Sequence, residues 1–295
     1  MSGYGERLRG WAERHGARAA SVRYRRPEAG GETAAMRLTP AGGASARAVV
    51  VHGAGNDAVY LLLELFRALL GAGVEVFSFD VDGHGTGSTT VFDVATVRGS
   101  VAAAAAVAEA GAPPLPLHLV GHSLGGALVL DALASGALPR VASAAVLSAP
   151  LEVHLGPRTV VSELAGFFRP ATLSQREHYG LWGLVPAFGP VKRGAFPFRR
   201  TERGSGPFGY VRSVRALLEA MRLEERAAVI RAPTLLVYSR GDHLSGHHDG
   251  ELLAARIPRA RLLCLDRPTH YGVAFHPEAV RRTAAWTAAH GGVPA

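Results

Sequence analysis

The sequence is poor in the groups that staple small secreted folds. Cys264 is its only cysteine, so no internal disulfide can form, and no CxxC or Cys/His spacing exists from which a structural zinc site could be built. Long apolar runs are missing as well. The least polar stretch, Val101 to Ala108, stops at Glu109, far short of the roughly 20 residues that span a bilayer. No transmembrane helix is expected. Met1 to Ala20 is broken up by Glu6, Arg7, Arg9, Glu13 and Arg14 and lacks the apolar core of a signal peptide, which points to a cytoplasmic protein. Lysine is nearly absent too. Lys192 is the only one, so the net charge of +8 and the pI near 10.3 rest on arginine.

That positive charge is unevenly spread. Gly156 to Arg215 holds ten basic residues against three acidic ones, so seven of the eight net charges fall in one segment. A nucleic-acid partner would rest on these arginines alone and is not expected. Two readings stay open for them: a solvated face, or a rim that concentrates an anionic substrate or docks on an anionic membrane. What the chain does have is length and apolar content. Its 295 residues are 48 % hydrophobic and 19 % charged, enough buried surface to offset the entropy of ordering them.

Alternation of short apolar runs with helix-length segments organises the chain. Ala20 to Tyr24 and Thr33 to Leu38 predict two strands around the turn Pro27-Glu28-Ala29-Gly30-Gly31. A strand over Ala48 to Val51 is followed by helix Ala58 to Leu70, strand Val74 to Asp80, helix Asp93 to Ala110, strand Leu115 to Val120, helix Leu124 to Ser135 and strand Val141 to Ser148. The alternation resumes with strand Thr234 to Tyr238, helix Asp249 to Arg256, strand Ala260 to Leu265 and helix Pro277 to Ala289. This order predicts an α/β fold with a mostly parallel sheet and helices on both faces. Residues 151–226, rich in Gly, Pro, Phe and Arg, break the pattern and are expected to form a cap inserted into a core made of residues 1–150 and 227–295.

The strongest chemical signal is Gly121-His122-Ser123-Leu124-Gly125, a G-x-S-x-G sequence set where a strand gives way to a helix. Such a turn exposes the serine hydroxyl at the carboxyl edge of the sheet, and the following helix points free N–H groups at it. Serine needs a base, and the base needs an orienting carboxylate. His270 follows strand Ala260 to Leu265, and Asp242 follows strand Thr234 to Tyr238, both at strand ends where open α/β sheets place their sites. Glu152, Asp249 and Asp266 are other acids in reach, and His276 is the alternative base. The loop His52-Gly53-Ala54-Gly55 after the third strand supplies a backbone donor, so the Ala54 and Leu124 N–H groups are the expected oxyanion hole.

These residues, in this order over roughly Ala20 to Ala289, resemble the alpha/beta hydrolases. Asp80-Val81-Asp82-Gly83-His84-Gly85-Thr86-Gly87-Ser88 is similar to the D-x-x-G-H-G-x-S segment of the monoacylglycerol lipase and serine aminopeptidase branch, with Gly87 as an extra residue before the serine. The resemblance gives His84 a structural role. It usually has glycine where this chain has Ser239. The resemblance implies an alpha/beta-hydrolase fold and a serine hydrolase acting on a carboxylic ester. The aromatic patches of the segment 151–226, such as Phe167, Phe168, Trp182 and Phe188, read as partly the cap's own core and partly the lining of a pocket for an apolar acyl group. Thioester hydrolysis or acyl transfer from a phosphate-bearing carrier, and peptidase action, keep the same triad with another leaving group or acceptor. A ligand-binding module without turnover is the rival of another class. No cofactor or metal is expected: Gly246 interrupts the cluster His243, His247, His248 and Asp249, and Cys264 reads as a core residue. The oligomeric state is left open.

Overall fold

The computed structural model describes residues 3–59, 61–85, 92–152 and 207–291, together with residues 156, 159 and 161. Its strands are β1 (Ala17–Arg26), β2 (Gly31–Pro40), β3 (Ala46–Val51), β4 (Val74–Phe79), β5 (Leu117–His122), β6 (Val141–Leu147), β7 (Thr234–Ser239) and β8 (Ala260–Leu265). They form one sheet in the order β1-β2-β4-β3-β5-β6-β7-β8. Only β2 runs against its neighbours; every pair from β4 to β8 is parallel.

Side chains alternate across a strand, and the core divides accordingly. In β3, Val49 and Val51 enter one buried cluster while Ala48 and Val50 enter the other; in β7, Leu236 and Tyr238 part from Leu235 and Val237 in the same way. Helices α4 (Ser100–Glu109), α5 (Leu124–Ala134) and α8 (His247–Arg256) cover the first face. Helices α1 (Gly3–Arg14), α2 (Leu63–Gly71) and α10 (Pro277–Ala289) cover the second. Both faces of the inner strands β3, β4, β5 and β7 are therefore dry, and their near-continuous apolar runs follow from that, while the edge strand β8 is only partly covered.

The stretch 162–206, most of the expected cap, lies outside the described residues. The chain re-enters through α6 (Pro207–Met221) and α7 (Leu223–Arg226), which add Val214, Leu217, Leu218, Met221 and Leu223 to the first cluster. Asp131 of α5 anchors this return: it accepts two hydrogen bonds from Arg98, at 2.8 and 2.9 Å, and a third from Arg226.

Strand ends shift by up to three residues from the sequence expectations, and three helical differences have a physical reason. Helix α1 replaces a segment read as a polar start, because Trp11 and Ala12 are buried on one side of an otherwise charged helix. Helix α2 begins at Leu63 and not Ala58, since Leu61 stands at φ 66°, a left-handed backbone state that a right-handed helix cannot contain. The helix expected over Asp93 to Ala110 splits into α3 (Val94–Arg98) and α4 at Gly99. The Thr96 carbonyl that an unbroken helix would bond to Ser100 instead accepts from Arg26 Nη2 at 2.6 Å and from the Gly99 N–H at 3.1 Å.

Candidate active site

The carboxyl ends of β3, β5, β7 and β8 converge on one place. Ser123 follows β5 with φ 56° and ψ −126°, a backbone state that L-residues reach only when surroundings enforce it. The enforcement is steric. A Cβ on Gly121 would sit 2.4 Å from the Gly125 carbonyl oxygen, and one on Gly125 would sit 2.2 Å from that of Val51. The Ser123 N–H is bonded to the Leu147 carbonyl of β6 at 2.8 Å. The turn is thus clamped between β3 and β6, with its hydroxyl turned to the sheet edge.

His270 opens the short helix α9 (His270–Val273). Its Nε2 lies 2.7 Å from Ser123 Oγ, which donates to it, and its Nδ1–H donates to Asp242 Oδ2 at 2.9 Å. Asp242 Oδ1 accepts the Leu244 and Ser245 N–H groups at 2.9 Å each. All three side chains are buried. Burial pushes the Asp242 carboxyl up, but the charge and hydrogen bond of His270, with the Ser245 N–H and the Ser148 hydroxyl, outweigh it and hold the carboxyl below its ordinary value.

The oxyanion loop named from the sequence packs on the same serine. A Cβ on Gly53 would lie 3.0 Å from Ser123 Cβ, so the glycine lets the chain carrying Ala54 run this close without pushing the serine aside. Leu124 is buried at the first turn of α5.

The other candidates are elsewhere. Glu152 lines a cavity of about 530 Å³ with Arg215, Glu219 and Arg222. Asp249 Oδ2 accepts the Leu151 N–H at 3.2 Å, and Asp266 pairs with Arg240 in the open at 2.7 Å. His276 is the entry residue of α10. Among the described residues no three of His, Cys, Asp and Glu converge as a metal set, and His248 faces only Glu251, at 3.7 Å. Cys264 is half-buried in β8. The basic segment 156–215 falls largely outside the described residues.

Three supporting residues lie beyond the triad and oxyanion donors expected from the sequence. His122, the variable position before the serine, donates from Nε2 to the His270 carbonyl at 3.0 Å, and burial followed by the charge of His270 lowers its pKa to about 3. Ser239 replaces the glycine of the resemblance with a gain: its hydroxyl donates to the Pro268 carbonyl at 2.7 Å and accepts the Gly241 N–H at 3.0 Å, joining the Asp242 and His270 loops. Ser148 is fully buried at φ 49°, its N–H bonded to the Val237 carbonyl at 2.8 Å.

Comparison with known proteins places the fold. The model of the alpha/beta hydrolase family matches residues 48–283. The chain belongs to the alpha/beta hydrolase family. A search of curated proteins finds no match. Among solved structures, this hydrolase-family chain is similar to a soluble variant of monoglyceride lipase from Saccharomyces cerevisiae in complex with a substrate analogue, at TM-score 0.68 and 16% identity over 93% of this chain and 96% of that one. A monoacylglycerol lipase from Paleococcus ferrophilus follows the fold at TM-score 0.60 and 18% identity, over 93% and 99% of the two chains. A Pyrococcus furiosus esterase does so at TM-score 0.64 and 14% identity, over 95% and 94%. At these identities the likeness is one of fold. Among the described residues no helix is long and apolar enough to cross a membrane.

Proposed function

We propose that the protein is a serine hydrolase that cleaves a carboxylic ester with an apolar acyl group. The observation that carries this reading is the unbroken buried relay from Ser123 Oγ to His270 to Asp242, at 2.7 and 2.9 Å. Ser123 Oγ attacks the ester carbonyl while its proton passes to His270 Nε2. The new imidazolium keeps its Nδ1–H on Asp242, whose lowered pKa keeps it ionised and able to stabilise that charge. The carbonyl oxygen becomes an oxyanion held by the Ala54 and Leu124 N–H groups. Collapse of this intermediate breaks the bond to the alcohol, which leaves with the proton from Nε2. Water, activated by the same nitrogen, then cleaves the acyl-serine and restores the hydroxyl.

Residues 151–226 act in this reading as a cap over the acyl group, and the enzyme works in the cytoplasm on a small-molecule ester. The excess of arginine between 156 and 215 supports one alternative, a thioester on a phosphate-bearing carrier. Hydrolysis of p-nitrophenyl esters from short to long acyl chains, beside matched acyl-CoA thioesters and Ser123→Ala, tests both. Ester turnover that falls by about 10⁴-fold or more in Ser123→Ala is expected. Faster turnover of the thioesters would move the assignment to thioesterase, and turnover that survives in Ser123→Ala would end the serine mechanism.

A further inference from the structure

The segment Asp80 to Gly85 takes no part in the relay, yet it is bound to the oxyanion loop by an unusually complete set of contacts. The Val81 N–H donates to His52 Nε2 at 3.0 Å, and the Gly55 N–H donates to His84 Nε2 at 3.2 Å. Asp80 Oδ1 accepts the Ala58 N–H at 2.9 Å, and Ser78 Oγ donates to the Ala58 carbonyl at 2.5 Å. Each segment therefore lends a histidine acceptor to a backbone N–H of the other. The tautomers are fixed by the remaining nitrogens. His84 Nδ1 lies 2.9 Å from the Asp82 carbonyl and His52 Nδ1 lies 2.8 Å from that of Gly53; an oxygen there demands an N–H, which leaves each Nε2 as an acceptor. Both rings are buried and meet edge-on with centroids 5.0 Å apart. Gly85 has to be glycine in this arrangement, since a Cβ at its φ of 61° would overlap the Asp80 carboxylate.

The consequence for Ala54 follows from peptide planarity. The Gly53 carbonyl and the Ala54 N–H belong to one trans unit and point in opposite directions. That carbonyl accepts from His52 Nδ1 at 2.8 Å and from the Asn56 N–H at 3.3 Å, so the direction of the Ala54 N–H is set from behind. The next unit, Ala54–Gly55, is held by His84. Fixing two successive peptides leaves the Ala54 N–H no freedom to swing.

We propose that His84 is a positioning residue that holds the oxyanion loop by accepting the Gly55 N–H, and that the segment 80–85 acts as a clamp on this loop from outside the reacting groups. The inference rests on the assignment of the Ala54 N–H to the oxyanion hole. Burial, with a smaller push from His52, lowers the His84 pKa to about 3, which keeps the acceptor unprotonated wherever the relay works.

The test compares wild type, His84→Leu, His84→Gln and Ser123→Ala on one p-nitrophenyl ester and on a trifluoromethyl ketone, whose adduct with the serine carries an oxyanion. In His84→Leu, kcat is expected to fall about 10- to 100-fold with KM changed less than about 3-fold, as for a displaced oxyanion donor. Ketone affinity should fall by the same factor as kcat/KM, and Gln, whose amide oxygen can accept the Gly55 N–H, should recover most of both. Unchanged kcat in folded His84→Leu, or a loss of kcat with full ketone affinity, overturns the clamp. Should the Leu variant not fold, NMR of the wild type decides: a slowly exchanging Gly55 amide and an unprotonated His84 Nε2 support the bond, and a fast amide or a protonated Nε2 refutes it. Turnover that persists in Ser123→Ala sinks the hydrolase reading itself, whereas a dead Ser123→Ala beside a fully active His84→Leu sinks only the clamp.

Discussion

Acidification from pH 7 to pH 5 should destabilise this protein by several kcal/mol, because it buries neutral histidines. His84, His118 and His122 are buried, and burial lowers their pKa values from 6.5 to about 3, 4 and 3. Their folded pKa values lie below the unfolded one, so their contribution is complete above pH 6.5 and is lost as pH falls, when the unfolded chain takes up protons that the native chain refuses. Between pH 7 and pH 5 each costs about 2 kcal/mol, or roughly 6 kcal/mol together. Asp82 works the other way. Burial raises its carboxyl from 3.8 to about 6 against the pull of Arg26, so its contribution is lost as pH rises through 6, and acidification to pH 5 returns about 1.4 kcal/mol. The net loss of roughly 4–5 kcal/mol is a large part of the stability of an ordinary domain. Urea unfolding at pH 7, 6 and 5, followed by far-UV circular dichroism, measures it. His118→Asn isolates one term at a residue about 16 Å along β5 from Ser123, with an amide that can still face Ser143, now 2.9 Å from the ring. That variant should lose about 2 kcal/mol less than wild type between pH 7 and 5. An equal loss in both proteins would refute the reasoning.

Two further substitutions probe the frame of the site. Gly125→Ala puts a methyl 2.2 Å from the Val51 oxygen and 2.5 Å from that of His52, so the turn and the start of the oxyanion loop must part by about 1 Å. The expected cost is about 2–3 kcal/mol, read as a Tm lower by about 4–6 °C, with kcat down about 100-fold on the same ester. Arg26→Met removes the cation that binds Asp82 at 2.6 Å, both groups being buried. Urea unfolding should register a loss of about 3–5 kcal/mol, much of it recovered in the double variant Arg26→Met, Asp82→Leu.

What the sequence revealed was local and steric. The sharp turn at Ser123 was legible because a positive φ beside two close backbone passages admits so few residue types, and Gly121 and Gly125 meet those passages at 2.4 and 2.2 Å. The placement of Asp242 and His270 at the same sheet edge was legible because each follows an apolar run. Contacts between segments far apart in sequence were not. Nothing local in Arg26 announces that it will take the Thr96 carbonyl and break a helix 70 residues on. Ser239 looked like a departure from pattern until its bond to Pro268, 29 residues later, came into view. Helix α1 was hidden by its charges: Trp11 and Ala12 are buried and Leu8 packs against the same cluster, but the arginines and glutamates around them leave too narrow an apolar stripe to stand out.

During turnover Ser123 should carry the acyl group. Rapid quenching of the native protein with an activated ester, followed by intact-mass and peptide mass spectrometry, tests it directly. One acyl group per chain is expected, on the peptide containing Ser123, appearing before steady-state product release and absent from Ser123→Ala. Steady turnover with Ser123 unmodified, or an acyl group found on another residue such as Cys264, would contradict it.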